Sequence, residues 1–286
     1  MNRLPDEILL FIFAQPCLTK WDKFRFLEVC YRWRRVAGDA ALWTGSYLTV
    51  KNVTQLGDAL STSLSLWLHV TRAGDFPTEA TLKRVTRLKW DKQESLTRFI
   101  TNDQSCPHLT HLQVRICSYM DMAVVLSHVA IRLRVLFLEE MFQETREFTE
   151  ALHACMQLTH LKLNGSIREW GHFPHLIYLE SNDSFHHTHF VAMLMSSLRY
   201  LYLETSFVEE YTKDWYKLAC RRTLTHFHVC FDHNDRSVRG TECYRDDLKK
   251  AYPNVCVYHN GQWVYRSIQH FELGRRFTFD TIDEAV

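Results

Sequence analysis

The stretch SNDSFHHTHF places His186, His187 and His189 just after Asp183, a set of ligand types that could hold a metal ion. Their spacing lacks the H-x3-H register that brings two imidazoles onto one helical face, so they read as solvated or packing histidines. His226 and His228 share one strand face, but a His-x-His pair supplies only two ligands. Nine scattered cysteines contain no C-x-x-C pair, and their odd number argues against a disulfide framework and for reduced thiols. No G-x-x-x-x-G-K-[ST] loop, G-x-G-x-x-G turn, H-E-x-x-H or G-x-S-x-G is present, and nine glycines leave few phosphate-cradling loops. No bond-making constellation, metal or cofactor is expected. The expected chemistry is recognition, carried by aromatic and basic side chains.

Such side chains need elements to hold them, and the chain can build a large core from its 46% hydrophobic content over 286 residues. A formal net charge of +1 provides no global basic field for nucleic acid. The run ILLFIF, with Asp6 and Glu7 ahead of it, is too short and too acidic at its start for a secretory signal, and no stretch is long enough to span a bilayer. The expectation is a cytoplasmic and/or nuclear protein with neither nucleic acid nor membrane as partner.

Pro5 suits the first turn of a helix, and Asp6 and Glu7 place negative charge at its positive end. Ile8 with Ile12, and Leu9 with Phe13, form a wide apolar face that Pro16 terminates, so this helix ends near Ala14. A second helix starts between Thr19 and Asp22 and carries Phe24, Leu27 and Val29. A third runs from about Tyr31 to Ala37, with Trp33 and Val36 inward and Gly38 as its stop. Within it, the arginines of Arg32-Trp33-Arg34-Arg35 flank a core tryptophan rather than forming a localisation signal.

The order Leu4-Pro5-Asp6-Glu7-Ile8-Leu9-Leu10, Ile12-Phe13, Val29-Cys30-Tyr31-Arg32-Trp33-Arg34 and Leu42-Trp43 resembles the F-box motif over the first 45 or so residues. The resemblance implies docking onto an Skp-family adaptor, and through it onto cullin and RING subunits of a ubiquitin ligase. Carried over, Leu4, Pro5, Ile8, Leu9, Ile12 and Phe13 would contact the adaptor, with Val29, Cys30 and Trp33 in the third helix, while Trp43 would pin the helices to the next part of the chain. Ala14-Gln15-Pro16-Cys17-Leu18 departs from the family pattern in the first interhelical loop.

Farther along, VTRLKW from Val85, LTHLQV from Leu109, LRVLFL from Leu133, LTHLKL from Leu158, LIYLES from Leu176, LRYLYL from Leu198, LTHFHV from Leu224 and VCVY from Val255 recur at spacings of 24, 24, 25, 18, 22, 26 and 31 residues. LSLWLHV from Leu64 and SYLTV from Ser46 would precede them. These segments resemble degenerate leucine-rich repeats, which implies a curved solenoid with one short parallel strand per repeat. Asn260-Gly261, between two strand-like runs, predicts a hairpin cap.

The expected architecture is therefore α/β: a three-helix F-box over residues 1–45, a repeat solenoid with its cap over 46–273, and a polar tail over 274–286. Alternation along each strand sends the leucines inward and the intervening residues to the concave face. That face would carry Arg87, Lys89, His111, Gln113 and Arg115 at its basic end. Phe137 and Lys162 would lie between, with Tyr178, Glu180, Tyr200, Tyr202, Glu204, His226 and His228 at its aromatic end. It would receive a protein substrate, making the chain a non-catalytic substrate receptor. A repeat scaffold without ligase function is the alternative.

Overall fold

The computed structural model describes residues 4–43, 45–56, 66–71, 77–91, 96–100, 106–142, 145–164, 171–181, 195–205, 223–231, 256–259 and 262–265. The chain divides into two compact units. One comprises Met1–Lys92 with Gln104–Leu109, and the other Gln93–Asp103 with Thr110–Val286. The boundary expected after residue 45 falls inside the first unit, and the polar tail over 274–286 lies outside the described residues.

In the first unit, α1 spans Asp6–Phe13, α2 Lys20–Val29 and α3 Tyr31–Ala37. The Pro5 carbonyl accepts from the Ile8 and Leu9 N–H groups and opens α1. Thr19 and Asp22 form a capping box at α2, Asp22 Oδ2 accepting from the Thr19 N–H at 2.9 Å. Cys30 is fully extended between α2 and α3, so Val29 and Cys30 precede the third helix instead of lying in it. Gly38 ends α3 with φ at −76°, an ordinary right-handed conformation, and glycine's freedom is not used there.

The three helices close on an aromatic core. Phe13 stacks on Phe26 at 4.3 Å and meets Trp33 at 5.0 Å, and Phe26 meets Trp33 edge-on. Two arginines of α3, Arg32 and Arg35, grip the Asp6 carboxylate, Arg32 at 2.7 Å. Arg34 Nε donates to the Leu27 carbonyl at 3.0 Å. All three arginines thus brace the helices. Trp43, in the 3-10 turn Ala40–Trp43, packs on Phe24 at 4.7 Å and donates to the Ala37 carbonyl. It closes the helical unit onto itself, where the resemblance had it reaching forward.

The same unit holds three parallel strands, β1 Leu48–Thr49, β2 Leu66–Val70 and β3 Val85–Trp90, with α4 Val50–Leu56 after β1 and α5 Glu79–Leu82 between β2 and β3. Leu48, Leu68 and Leu88 stand in register and are buried.

In the second unit, β4 His111–Ser118, β5 Val135–Phe142, β6 His160–Leu163, β7 Tyr178–Ser181, β8 Tyr200–Thr205, β9 His226–Phe231 and β10 Cys256–His259 run parallel, each beside the next. Strand β11, Gln262–Tyr265, returns antiparallel on β10, forming the hairpin that Asn260-Gly261 predicts. Leu112, Leu136, Leu161, Leu179 and Leu201 form one in-register row with no exposure. At each strand entry one carbonyl accepts two N–H groups of the next segment: Thr110 from 134 and 135, Arg134 from 159 and 160, Thr159 from 177 and 178, Ile177 from 199 and 200, and Arg199 from 225 and 226. Helices α6 Thr97–Ile100, α7 Tyr119–Val129 and α8 Arg146–His153 belong to this unit.

Because Phe13 is fully buried among rings, Phe13→Ala should destabilise the chain by about 3–5 kcal/mol in urea denaturation.

Candidate functional site

The helical surface of the first unit is apolar on the outside as well as within. Along α1, Ile8 is 45% exposed, Phe11 69% and Ile12 40%, an i, i+3, i+4 set on one face. Leu9 and Phe13, expected as adaptor contacts, are 1% and 0% exposed. They belong to the core, Phe13 packing against Phe26 and Trp33. Trp33 is half-buried in the same cluster, whereas Pro5, Val29 and Cys30 are exposed and Leu4 is half-buried. Trp21 and Tyr31 add exposed rings. Phe11, Trp21 and Tyr31 were not singled out from sequence, although Phe11 completes the stripe begun by Ile8 and Ile12.

The strands place the second set of candidates as anticipated in register but not in exposure. His111, Val135, His160, Tyr178, Tyr200 and His226 form one row across β4 to β9, and Gln113, Phe137, Lys162, Glu180, Tyr202 and His228 form the next. Phe137, Tyr178 and Tyr202 are buried, so they are not surface contacts. Parallel strands lie about 4.8 Å apart, and side chains this large cover one another. Tyr178 meets Tyr202 at 5.5 Å, His160 at 5.8 Å and Phe137 at 6.3 Å. Lys162 pairs with the buried Glu180 at 3.1 Å, and Glu180 also accepts from the Tyr178 hydroxyl. Tyr200 stacks on His226 at 4.8 Å, both half-exposed, as is His111, and Arg115 is exposed. The side chains of Glu204 and His228 lie outside the described residues. In the first unit Lys89 is half-buried and Arg87 is buried against Trp67.

The thrice-repeated Leu-Thr-His sequence fixes its histidines through the threonine. Thr110, Thr159 and Thr225 bring Oγ1 to within 2.8, 3.0 and 3.0 Å of Nδ1 on His111, His160 and His226. Thr159 Oγ1 also donates to the Arg134 carbonyl at 3.1 Å, and Thr225 Oγ1 to the Arg199 carbonyl at 3.0 Å. A hydroxyl has one proton, and a carbonyl only accepts, so both threonines must accept from Nδ1–H. His160 and His226 therefore carry a proton on Nδ1. Burial pushes the His160 pKa down to about 4, and burial pushes the Cys155 thiol up to about 12, which leaves it unreactive.

No group of three or more His, Cys, Asp or Glu residues is placed to hold a metal among the described residues, and Asp183, His186, His187 and His189 lie outside them. No helix among the described residues is long and apolar enough to cross a membrane.

Residues 1–49 match the F-box-like family model. A search of curated proteins finds no match for the chain. Among solved structures, the chain is similar to one in the crystal structure of the Rad7 and Elc1 complex in yeast, with a TM-score of 0.46 and 11% identity, over 90% of this chain and 69% of that one.

The His160 environment makes stability depend on pH. Its folded pKa of about 4 lies below the ordinary 6.5, so the unfolded chain takes up a proton that the fold refuses. Stability should rise between about pH 4 and pH 6.5 and be lost on acidification through that window, by on the order of 3 kcal/mol for this group. His160→Gln should flatten this part of the profile in denaturant titrations, and 15N spectra of the wild type should show the His160 proton on Nδ1.

Proposed function

We propose that this chain is the substrate-recognition subunit of an Skp–cullin–F-box ubiquitin ligase. The observation that carries the reading is the outward apolar face of Ile8, Phe11 and Ile12 on a segment that matches the F-box-like model. Water-exposed apolar side chains clustered on one helix are stabilised when a partner covers them. Leu4, Pro5, Val29 and Cys30 extend the proposed contact, and Phe11 and Tyr31 join it. Leu9, Phe13 and Trp33 act underneath, setting the angle at which α1 presents its outer side.

The mechanism is proximity. Adaptor binding would attach the chain to the cullin and RING subunits, and the sheet faces, read as degenerate leucine-rich repeats, would hold a protein substrate. Its lysines would then sit at high effective concentration near the ubiquitin-charged enzyme. This chain would perform no bond chemistry, and the ligase would act in the cytoplasm or nucleus. On the sheet faces, the half-exposed or exposed Lys89, His111, Arg115, Tyr200 and His226 are the substrate-facing candidates.

Co-expression with an Skp-family adaptor tests the reading. The wild type should co-purify with the adaptor, and the double variant Ile8→Asp, Phe11→Asp should lose more than about tenfold in affinity while melting like the wild type, since both side chains are exposed. Equal binding by wild type and variant, or none by either, overturns adaptor docking through this face. Adaptor binding without ubiquitination of any bound partner favours a scaffold instead.

A further inference from the structure

The sheet face of the first unit carries a lysine with no ion pair among the described residues. The register of β2 and β3 sets Trp67 opposite Arg87 and His69 opposite Lys89. Arg87 is buried, with its guanidinium carbon 3.9 Å from the centroid of the Trp67 ring, and Tyr47 tilts against the same indole at 5.5 Å. Gly45, at φ +77°, brings backbone alongside the ring, where an added Cβ would stand 3.9 Å away. The indole is thus stiffened on several sides yet remains half-exposed.

Each described carboxylate on the sheet faces holds at least one partner, although Asp91 Oδ1 is buried with no hydrogen bond among the described residues. Asp91 accepts from His69 Nε2 at 2.5 Å, Glu139 from the Gln113 amide, and Glu180 pairs with Lys162. Lys89 differs: its half-exposed ammonium has no hydrogen bond or ion pair among the described residues. Asp91 lies two residues along on the same face, but its bond goes to His69. Among the described residues, no carboxylate is paired with Lys89. A pre-stiffened aromatic ring beside an unanswered cation is a common basis for a binding hot spot, because the ring loses little freedom on contact and the charge selects its partner.

We propose that this face docks an acidic segment of another protein, a carboxylate resting on Lys89 and an adjoining apolar side chain on Trp67. The inference deepens the substrate-receptor reading and rests on it only in calling that protein a substrate. It gives the first unit a docking point of its own, in addition to the half-exposed or exposed His111, Arg115, Tyr200 and His226 of the second.

The test uses the full-length chain labelled with 15N, reading the Trp67 indole N–H assigned by Trp67→Phe. The probe is a short peptide alternating leucine and glutamate, beside its leucine–lysine counterpart. The glutamate peptide should shift the indole resonance saturably and the lysine peptide should not. Lys89→Met, verified as folded by circular dichroism, should weaken the glutamate peptide about three- to fivefold, the effect of losing one exposed ion pair. An unmoved indole, an equal response to the lysine peptide, or undiminished binding by Lys89→Met overturns the proposal. Retained adaptor co-purification in those cases leaves the ligase reading standing. A glutamate-peptide response from a chain that binds no adaptor supports the docking face and removes the ligase reading alone.

Discussion

The row of Leu112, Leu136, Leu161, Leu179 and Leu201 is the constraint on which the second unit depends. Each leucine is fully buried against its neighbour in the next strand, so each strand's position is set by the one before it. A parallel strand cannot shift by one residue without turning its whole leucine set to the wrong face. The carbonyls at the strand entries reinforce the same register by taking two N–H groups each. With register fixed this tightly, every second residue is committed to the opposite face, and the chemistry of that face is set by sequence position alone.

That commitment has an energetic consequence for the opposite face. Where it collects large side chains, as at Phe137, His160, Tyr178 and Tyr202, the face becomes a second packed surface. Several buried polar atoms there are paired: Glu180 has Lys162 and the Tyr178 hydroxyl, and His160 Nδ1 has Thr159. An unpaired carboxylate or imidazolium at the same depth would be strongly disfavoured. The Leu-Thr-His sequence therefore does two jobs at once. Leucine enters the core, and at Thr159 and Thr225 the threonine ties the strand entry to the preceding segment while holding the imidazole Nδ1–H.

The helices of the first unit obey a different logic, in which a small core must also hold a surface open. Phe13, Phe26 and Trp33 occupy the interior, and the Asp6 carboxylate between Arg32 and Arg35 ties the start of α1 to α3. Hydrogen bonding from Arg32, then from Arg35, holds the Asp6 carboxyl below the usual carboxylate range. With α1 anchored at its acidic start and by Phe13 near its end, its remaining apolar residues have no inward position left. Ile8, Phe11 and Ile12 face outward for that reason.

Much of this was legible in the sequence. The bounds of α1 to α3, the order of parallel strands, the closing hairpin and the F-box-like segment all arise from local signals: caps, the two-residue alternation, leucine spacing and Asn260-Gly261. Those signals are local because they depend on backbone geometry and on residues a few positions apart. Exposure was not legible. Whether Leu9 or Phe11 meets a partner, and whether Tyr178 lines a groove or a core, depends on neighbours far away in sequence. Two apolar residues on one helix read alike until Phe26 and Trp33 arrive on one side, and a tyrosine on a strand reads as surface until its neighbours on adjacent strands cover it. Residue order along the chain dictates which elements form and which faces they have. Which of those faces are covered is settled only in the assembled fold, because burial is a property of what packs from a distance.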